Sequence, residues 1–138
     1  MSDVSAMNDI GVLIVVDALG ALASGDLQSN VYLVDTNKYV GSGAEGQAEL
    51  RTACEDGQII NWRITPVAPD TEVNLVKFTG QMVSDNVCNP IKQGLPGDEY
   101  WSGRVETQGK AGQYQYSAVV SIDGRQMSFD PFLEVKVG

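Results

Sequence analysis

The last third of the chain contains two runs of alternating apolar and polar residues that meet at a sharp turn. Residues 113–122 read Gln-Tyr-Gln-Tyr-Ser-Ala-Val-Val-Ser-Ile, and residues 127–137 read Met-Ser-Phe-Asp-Pro-Phe-Leu-Glu-Val-Lys-Val. A period of two is typical of a strand that is buried on one face. Asp123-Gly124 lies between the runs, and this dipeptide favours the positive φ angles of a two-residue hairpin turn. The chain is therefore predicted to close on a β-hairpin within an all-β fold.

Short runs typical of strands occur throughout the rest of the chain, and the first of them, residues 10–16, is apolar on both faces, as suits a central strand. They span residues 10–16, 31–34, 47–54, 59–65 and 71–83, and turn-forming residues follow each of them. About eight strands with regular turn signals indicate an antiparallel β-sandwich of the jelly-roll type. A length of 138 residues fits one domain, in which residues 1–9 are expected to form a flexible N-terminus. Residues 84–103 lack strand periodicity and are predicted to be the longest loop, and residues 18–27 fit either a short helix or an irregular crossover.

The charge and residue content exclude several classes of function. A net charge of -9 repels phosphate backbones and anionic membranes, so neither nucleic acid nor a membrane is an expected partner. The absence of histidine excludes Ser-His catalytic triads and imidazole zinc sites. The first nine residues carry no Lys or Arg, and no apolar run is long enough for a signal sequence or a membrane span. The sequence therefore predicts a cytoplasmic protein.

Cys54 and Cys88 are the two cysteines of the chain, and in a reducing cytoplasm they are expected to be free thiols. Glu55 and Asp56 follow Cys54 directly, and their negative charge would raise the thiol pKa, which disfavours a catalytic nucleophile. Two thiols without histidine also make a poor zinc site. No catalytic residue, metal site or cofactor is therefore predicted.

Asp98, Glu99, Tyr100 and Trp101 form the segment predicted to contact a ligand or another protein. They follow Pro96-Gly97, and exposed aromatic rings are common on sugar-binding and protein-binding surfaces. The alternative is that Trp101 closes one end of the core while Tyr100 covers it. Acidic residues at strand ends are a second candidate group, for calcium, but turn formation explains them better because no dense calcium-loop spacing is present. These residues are Asp35, Asp56, Asp70, Asp85, Asp98, Asp123 and Asp130.

Two further features are predicted to be structural. Trp62 lies on the apolar face of the strand at residues 59–65, so it is expected in the core. The segment Phe129-Asp130-Pro131-Phe132 contains a proline, which fixes φ and cannot donate to a strand ladder. Pro131 is therefore expected at a bulge or an edge position, with Phe129 and Leu133 anchoring the core and Asp130 bonding nearby amides.

Several segments also carry a family resemblance. The longest are Asn30-Val-Tyr-Leu-Val-Asp-Thr-Asn-Lys-Tyr-Val-Gly-Ser42 with Glu45-Gly-Gln47, and Met127-Ser-Phe-Asp-Pro-Phe-Leu-Glu-Val135. The others are Asp56-Gly-Gln58, Trp62, Phe78-Thr-Gly80 and Gln113-Tyr-Gln-Tyr116. Together they resemble the bacterial AidA/PixA inclusion-body protein family, and the AidA branch more than PixA. The likeness runs from about Ile10 to Val137, and Phe-Asp-Pro is its most specific part.

The resemblance implies a small, soluble protein whose expression is tied to quorum sensing in Gram-negative bacteria, with a link to host interaction. PixA-like relatives accumulate as cytoplasmic crystalline inclusions. No enzymatic activity and no catalytic residues are implied. The inclusion-forming relatives are methionine-rich, whereas this chain has 4 Met, which argues against a methionine-storage role.

Two functions remain open at the level of sequence. The first is a non-enzymatic accessory protein that self-associates as a homodimer or a larger assembly. The second is a lectin-like or small-ligand binding module, with or without calcium, that uses the Tyr100 and Trp101 region to bind a glycan or an unknown host ligand.

Overall fold

A computed structural model describes residues 9–37, 42–44 and 46–136. Residues 1–8 of the N-terminus expected to be flexible at residues 1–9, and residues 38–41 and 45 of the family-like segment, lie outside the described residues. The described part contains eleven strands and two short α-helices. In chain order the elements are β1 (Ile10–Val16), α1 (Ala18–Ser24), a 3-10 turn (Gln28–Asn30), β2 (Val31–Asp35), β3 (Arg51–Glu55), β4 (Ile59–Pro66), β5 (Val73–Thr79), α2 (Gln81–Ser84), β6 (Ile91–Leu95), β7 (Asp98–Arg104), β8 (Gly112–Gln115), β9 (Ser117–Ile122), β10 (Arg125–Phe129) and β11 (Phe132–Lys136).

The strands form three sheets, which confirms the all-β fold. The largest sheet has the order β2-β1-β4-β7-β6, and the two smaller ones have the orders β10-β9-β5 and β3-β11-β8. The described residues contain eleven strands, more than the eight that were expected. The expected antiparallel arrangement does not hold throughout, because β1 pairs with β4 and β3 pairs with β11 in parallel. Alternation within a strand does not reveal the direction of its neighbour, since parallel partners lie far apart in the chain. The sandwich and jelly-roll arrangement stays a prediction.

One hydrophobic cluster includes buried residues from all three sheets. The five-stranded sheet contributes Ile14 and Trp62, the second sheet contributes Leu75 and Phe129, and the third contributes Leu133. In β1, β4 and β11 the buried residues alternate with less buried ones, whereas in β5 a shift of register between Leu75 and Lys77 places both Leu75 and Phe78 in the core. The period of two in the sequence therefore selects the face of each sheet that is removed from water.

The predicted hairpin at the end of the chain is confirmed, and it spans two sheets. Asp123 has a φ of 49° and Gly124 has a φ of 87°, as a two-residue turn of this kind requires. One arm is interrupted at Tyr116, between β8 and β9, and the other at Asp130-Pro131, between β10 and β11. The Tyr116 amide donates to the Pro131 carbonyl at 3.0 Å, which holds the two interruptions side by side. This closing hairpin, residues 112–136, thus turns a corner from one small sheet into the other.

Local signals explain where several elements begin and end. Within residues 18–27, Ala18–Ser24 form α1, which begins after Asp17, whose side chain accepts a hydrogen bond from the Gly20 amide at 3.1 Å. The helix ends at Gly25, which adopts a left-handed conformation with a φ of 73°. The strand predicted at residues 71–83 is too long, because β5 ends at Thr79 and α2 follows it. None of the helices in the described ranges has the length and apolar character that crossing a membrane requires.

Candidate functional site

Most of the segment predicted to be the longest loop, from Ile91 onwards, is a β-hairpin instead, while residues 85–90 are neither helix nor strand. β6 and β7 pair from Ile91↔Ser102 to Leu95↔Asp98, and Pro96-Gly97 forms the turn between them. Proline presets φ at the first central position of a type II turn, and Gly97 supplies the positive φ, 91°, that the second position needs. All five residues of β6 are exposed, so neither face shows the apolar repeat from which a strand is recognised.

Strand alternation divides the four residues of the predicted binding segment between two faces. Trp101 pairs with Trp62 of β4, so its ring lies on the inner face of the sheet. Glu99 shares that face, whereas Asp98 and Tyr100 lie on the outer face. The four side chains therefore do not form one site, because neighbouring residues of a strand point in opposite directions. Their binding role stays a prediction, and it now concerns two separate surfaces.

On the inner face, Trp101 joins an aromatic cluster in the core. Its ring centroid lies 5.5 Å from that of Phe78, and Trp62 lies 4.9 Å from Phe78 and 5.9 Å from Tyr116. The Trp62 indole Nε1 donates to the Tyr116 hydroxyl at 3.1 Å, and burial raises the pKa of Tyr116. The cavity beside Trp101 has a volume of about 30 Å³, room for about one water molecule. The partly buried Trp101 ring therefore packs against the core.

On the outer face, the exposed side chains of Arg63 and Asp98 and the half-buried side chain of Tyr100 form a small polar and aromatic group. The Arg63 guanidinium lies 4.7 Å above the centre of the Tyr100 ring and donates to Asp98 Oδ1 at 2.9 Å. The side chains of Arg63 and Asp98 are 50% and 80% exposed, so water screens their ion pair and its contribution to folding is small. The partners of Arg63 depend on the register of β4 with β7, which the alternation within one strand does not reveal.

At the free edge of the same sheet, Lys92 of β6 contacts Glu99 of β7. Lys92 Nζ and Glu99 Oε2 are 3.3 Å apart, on the face that also carries Trp101. No feature of the sequence selects this pair, because both residues lie in the segment that was predicted to be a loop.

The two cysteines are free and buried, as expected of structural thiols. Burial raises the pKa of both thiols to about 12, and nearby negative groups, among them Glu106 for Cys88, act in the same direction. Neither sulfur is therefore ionised near neutral pH, and the thiolate is the nucleophilic form.

Several acidic residues bind the chain's own backbone or hydroxyl groups. Asp56 accepts hydrogen bonds from the amides of Thr107 at 2.6 Å and Gly109 at 3.0 Å. Asp130 accepts from the Ser117 hydroxyl at 2.6 Å, beside the corner at Pro131. Within the described ranges, no three Cys, Asp or Glu side chains come together as possible metal ligands.

The family-like aromatic residues lie in different surroundings. Trp62 and Phe129 are buried, whereas Phe132 is partly exposed at the start of β11. Pro131 lies between two strands rather than inside one, where its missing amide costs no ladder hydrogen bond. These residues shape the corner of the closing hairpin.

Comparison with known proteins gives a family and a fold. A family model described as "Domain of unknown function (DUF8788)" matches residues 8–128. Among solved structures, the chain is similar to the crystal structure of the inclusion body protein PixA from Burkholderia cenocepacia J2315, with a TM-score of 0.70 and 11% sequence identity over 100% of both chains. No curated protein matches the chain. The resemblance to inclusion-body proteins is thus confirmed, and at this identity the likeness establishes the fold.

Proposed function

The chain belongs to the DUF8788 family, and we propose that it acts without chemical catalysis, as a self-associating protein of the inclusion-body type. The observation that carries this proposal is the fold shared with PixA over the whole length of both chains. We also propose that the three sheets stack as the layers of a sandwich, because their buried faces contribute to one hydrophobic cluster.

A non-enzymatic role fits the chemistry of the described residues. The two thiols are protonated and buried, and the acidic side chains of Asp56 and Asp130 already bind the backbone or a neighbouring hydroxyl. The chain contains no histidine to serve as a general base near neutral pH.

Self-association fits the distribution of exposed apolar side chains. The outer face of the five-stranded sheet exposes Leu13, Tyr32 and Val34, and the edge strand β6 exposes Ile91 and Leu95. Exposed apolar surface on a sheet face and a sheet edge is typical of surfaces that bind other protein chains.

The remaining parts of the proposal come from the AidA resemblance. They are a cytoplasmic location, expression under quorum-sensing control and a role in host interaction. Transcript levels at low and high cell density, compared in strains with and without the quorum-sensing signal, test the second part. Equal levels in all four conditions would remove it.

Native mass spectrometry of the protein purified from its own host tests self-association directly. We expect a defined oligomer whose mass is a whole multiple of the subunit mass, because the proposal needs no bound molecule. Sedimentation across a hundredfold range of concentration serves as the control for associations that form only in the spectrometer. A monomer throughout that range contradicts the proposal.

A lectin-like or small-ligand binding module is the second candidate, and the outer-face group favours it. Arg63, Tyr100 and Asp98 present a cation, an aromatic face and a carboxylate within contact distance of one another. A glycan array and a melting curve with and without calcium test this candidate, because ligand that binds only the folded state raises the melting temperature. Tyr100→Ala should abolish any binding found, and an empty array with an unchanged melting temperature rejects the module.

A further inference from the structure

The edge strand β6 is the most exposed strand of the five-stranded sheet. It pairs with β7 on one side, and in the described part of the chain no backbone hydrogen bond reaches it from any other element. The opposite edge differs, because β2 is partly covered by the Gly46 amide, which donates to the Leu33 carbonyl. An uncovered edge presents a row of free amide and carbonyl groups that can pair with another strand.

The edge strand β6 is only partly protected against pairing with another strand. Its one charged residue is Lys92, whose ammonium group already contacts Glu99 of the same molecule. Ile91 and Leu95 are 62% and 76% exposed, and Leu95 is the most exposed large apolar side chain in the described residues. Short strands, charged residues, prolines and bulges normally discourage pairing at an edge. In β6, Pro90, Pro96 and the positive φ of Gly94, 92°, confine any pairing to a short segment, but they leave Ile91 and Leu95 uncovered.

The two apolar residues of β6 are placed symmetrically about its central residue, Gln93. In an antiparallel pair centred on Gln93, Ile91 lies opposite Leu95 of the second copy, and Lys92 lies opposite Gly94 of the second copy. Both apolar residues are on the outer face with Gln93, so the joined strands carry apolar pairs on either side of the centre. Pro90 and Pro96 limit the strand at both ends, so the two paired segments have equal length.

Charge complementarity supports the same register on the inner face. Within each copy Gly94 pairs with Glu99. Lys92 of one copy therefore lies in a row with Gly94 of the second copy and, one strand further, with Glu99 of the second copy. Lys92 and that Glu99 would lie two strands, about 10 Å, apart between backbones. Because Gly94 has no side chain, nothing separates the ammonium group from the carboxylate. Each interface would then hold two lysines and two glutamates of alternating sign.

We propose that β6 is the self-association surface of this protein, through which two copies pair antiparallel about a two-fold axis at Gln93 and form one ten-stranded sheet. The inference rests on the self-association proposed above and names its surface. Such an isologous pairing closes at two copies, because each copy uses its only β6 strand. The net charge of -9 opposes association at long range, whereas the Lys92 and Glu99 row attracts at contact distance.

Cross-linking through Gln93→Cys tests both the surface and its register. The two-fold axis brings the two copies of position 93 to a Cα separation of about 4.5 to 5.5 Å, within the range that a disulfide spans. Mild oxidation should therefore convert most of this variant to a covalent dimer on a non-reducing gel. The native Cys54 and Cys88 are buried and protonated, so they do not compete.

Ile91→Cys is the matched control on the same strand. In the proposed register its two copies lie about four residues, roughly 13 Å, apart along the strand direction, too far for a disulfide. It should remain uncross-linked under the same conditions, whereas the double variant Ile91→Cys with Leu95→Cys should cross-link. Equal cross-linking of Gln93→Cys and Ile91→Cys overturns the register.

Sedimentation of Leu95→Lys, with Leu19→Lys as its control, separates the failure of this inference from that of the proposed function. Leu19 lies on α1 and is 66% exposed, so the two variants add the same charge at similarly exposed positions. Leu95→Lys should raise the dimer dissociation constant at least about tenfold, and Leu19→Lys should leave it unchanged. If the wild-type protein is an oligomer that neither Leu95→Lys nor Gln93→Cys affects, β6 is not the interface while self-association stands. If the wild-type protein is a monomer at every concentration, both proposals are overturned.

Discussion

The closing hairpin and the β6–β7 hairpin have turns of equal length but opposite surroundings. Asp123-Gly124 connects β9 to β10, and Pro96-Gly97 connects β6 to β7, each with a glycine at positive φ. The strand β9 buries Ala118, Val120 and Ile122, whereas every residue of β6 is exposed. A short turn therefore brings two strands together, but the apolar repeat decides whether the pair enters the core.

This difference assigns different roles to the two hairpins. The closing hairpin links two sheets and contributes Tyr116, Phe129 and Leu133 to the core, so its loss should unfold the domain. β6 adds little buried apolar surface, so its exposed edge and side chains are available for contact with another molecule. Sites with low local stability are the ones that binding can order or cover at small cost.

Phe129→Ala should produce the largest loss of stability and thereby test the role of the closing hairpin. Phe129 is 1% exposed, and truncation of a buried phenylalanine costs about 3 to 5 kcal/mol through lost burial and the resulting cavity. The free energy of unfolding from urea denaturation, at concentrations where only monomer is present, measures the effect. Leu95→Ala on β6 is the control and should change this free energy by less than about 0.5 kcal/mol. Similar losses for both variants would remove the distinction between the hairpins.

Tyr116→Phe should have the next largest effect. It keeps the ring in place but removes the hydroxyl that accepts from Trp62 Nε1, leaving a buried N–H group unpaired. An unsatisfied buried donor costs about 1 to 3 kcal/mol. The same denaturation experiment measures this loss, and Tyr100→Phe on the exposed β7 face is the matched control with little expected change. The hydrogen bond contributes nothing to stability if the two tyrosine variants behave alike.

High pH should weaken the fold through the two thiols. Their pKa is raised from 9.0 to about 12, so between these values the unfolded chain has lost protons that the folded chain retains. Stability contributed by the protonated thiols is therefore complete below pH 9 and is lost as the pH rises towards 12. At pH 10 each thiol should lower the free energy of unfolding by about 1 kcal/mol.

Single variants assign this pH dependence to the two regions. Cys54 lies on β3, where it pairs with Val135 of the closing hairpin, and Cys88 lies just before β6. Urea denaturation at pH 8 and pH 10 should show a smaller loss for Cys54→Ala and for Cys88→Ala than for the wild-type protein. An unchanged pH dependence in Cys88→Ala alone would mean that the start of the β6–β7 hairpin opens to solvent.

Gly124→Ala and Gly97→Ala should have the smallest effects and compare the two turns directly. Gly124 has a φ of 87° and Gly97 has a φ of 91°. At both positions no atom lies close to the position of an added Cβ, so the two substitutions introduce similar backbone strain. Strain of this kind costs about 1 kcal/mol. We expect Gly124→Ala to lower the free energy of global unfolding by the full amount. Gly97→Ala should lower it by less, because we expect β6 to open locally and relieve the strain. Hydrogen exchange should then increase at residues 91–95 in Gly97→Ala, and protection that is unchanged there would show that β6 unfolds only with the rest of the domain.

Sequence patterns predicted the elements whose strands are buried on one face. The turn at Asp123-Gly124, the burial of Trp62 on β4 and the central strand β1 follow from periodicity and turn chemistry alone. The same reasoning missed β6 because an exposed strand has no apolar repeat, and it missed the corner at Tyr116 and Pro131 because alternation continues across it. The pairs Arg63 with Tyr100 and Lys92 with Glu99 were also missed, since each depends on strand register.

The sequence by itself determined an all-β chain, the buried faces of its alternating strands and the exclusion of histidine-dependent chemistry. These properties are local or compositional, because they depend on periodicity, turn residues and the residue types present. The tertiary structure alone decided the parallel pairing of β1 with β4, the separation of Tyr100 from Trp101 onto opposite faces, and the free edge at β6. These features depend on which distant strands become neighbours, and that choice is made by the packing of the whole core rather than by any single segment.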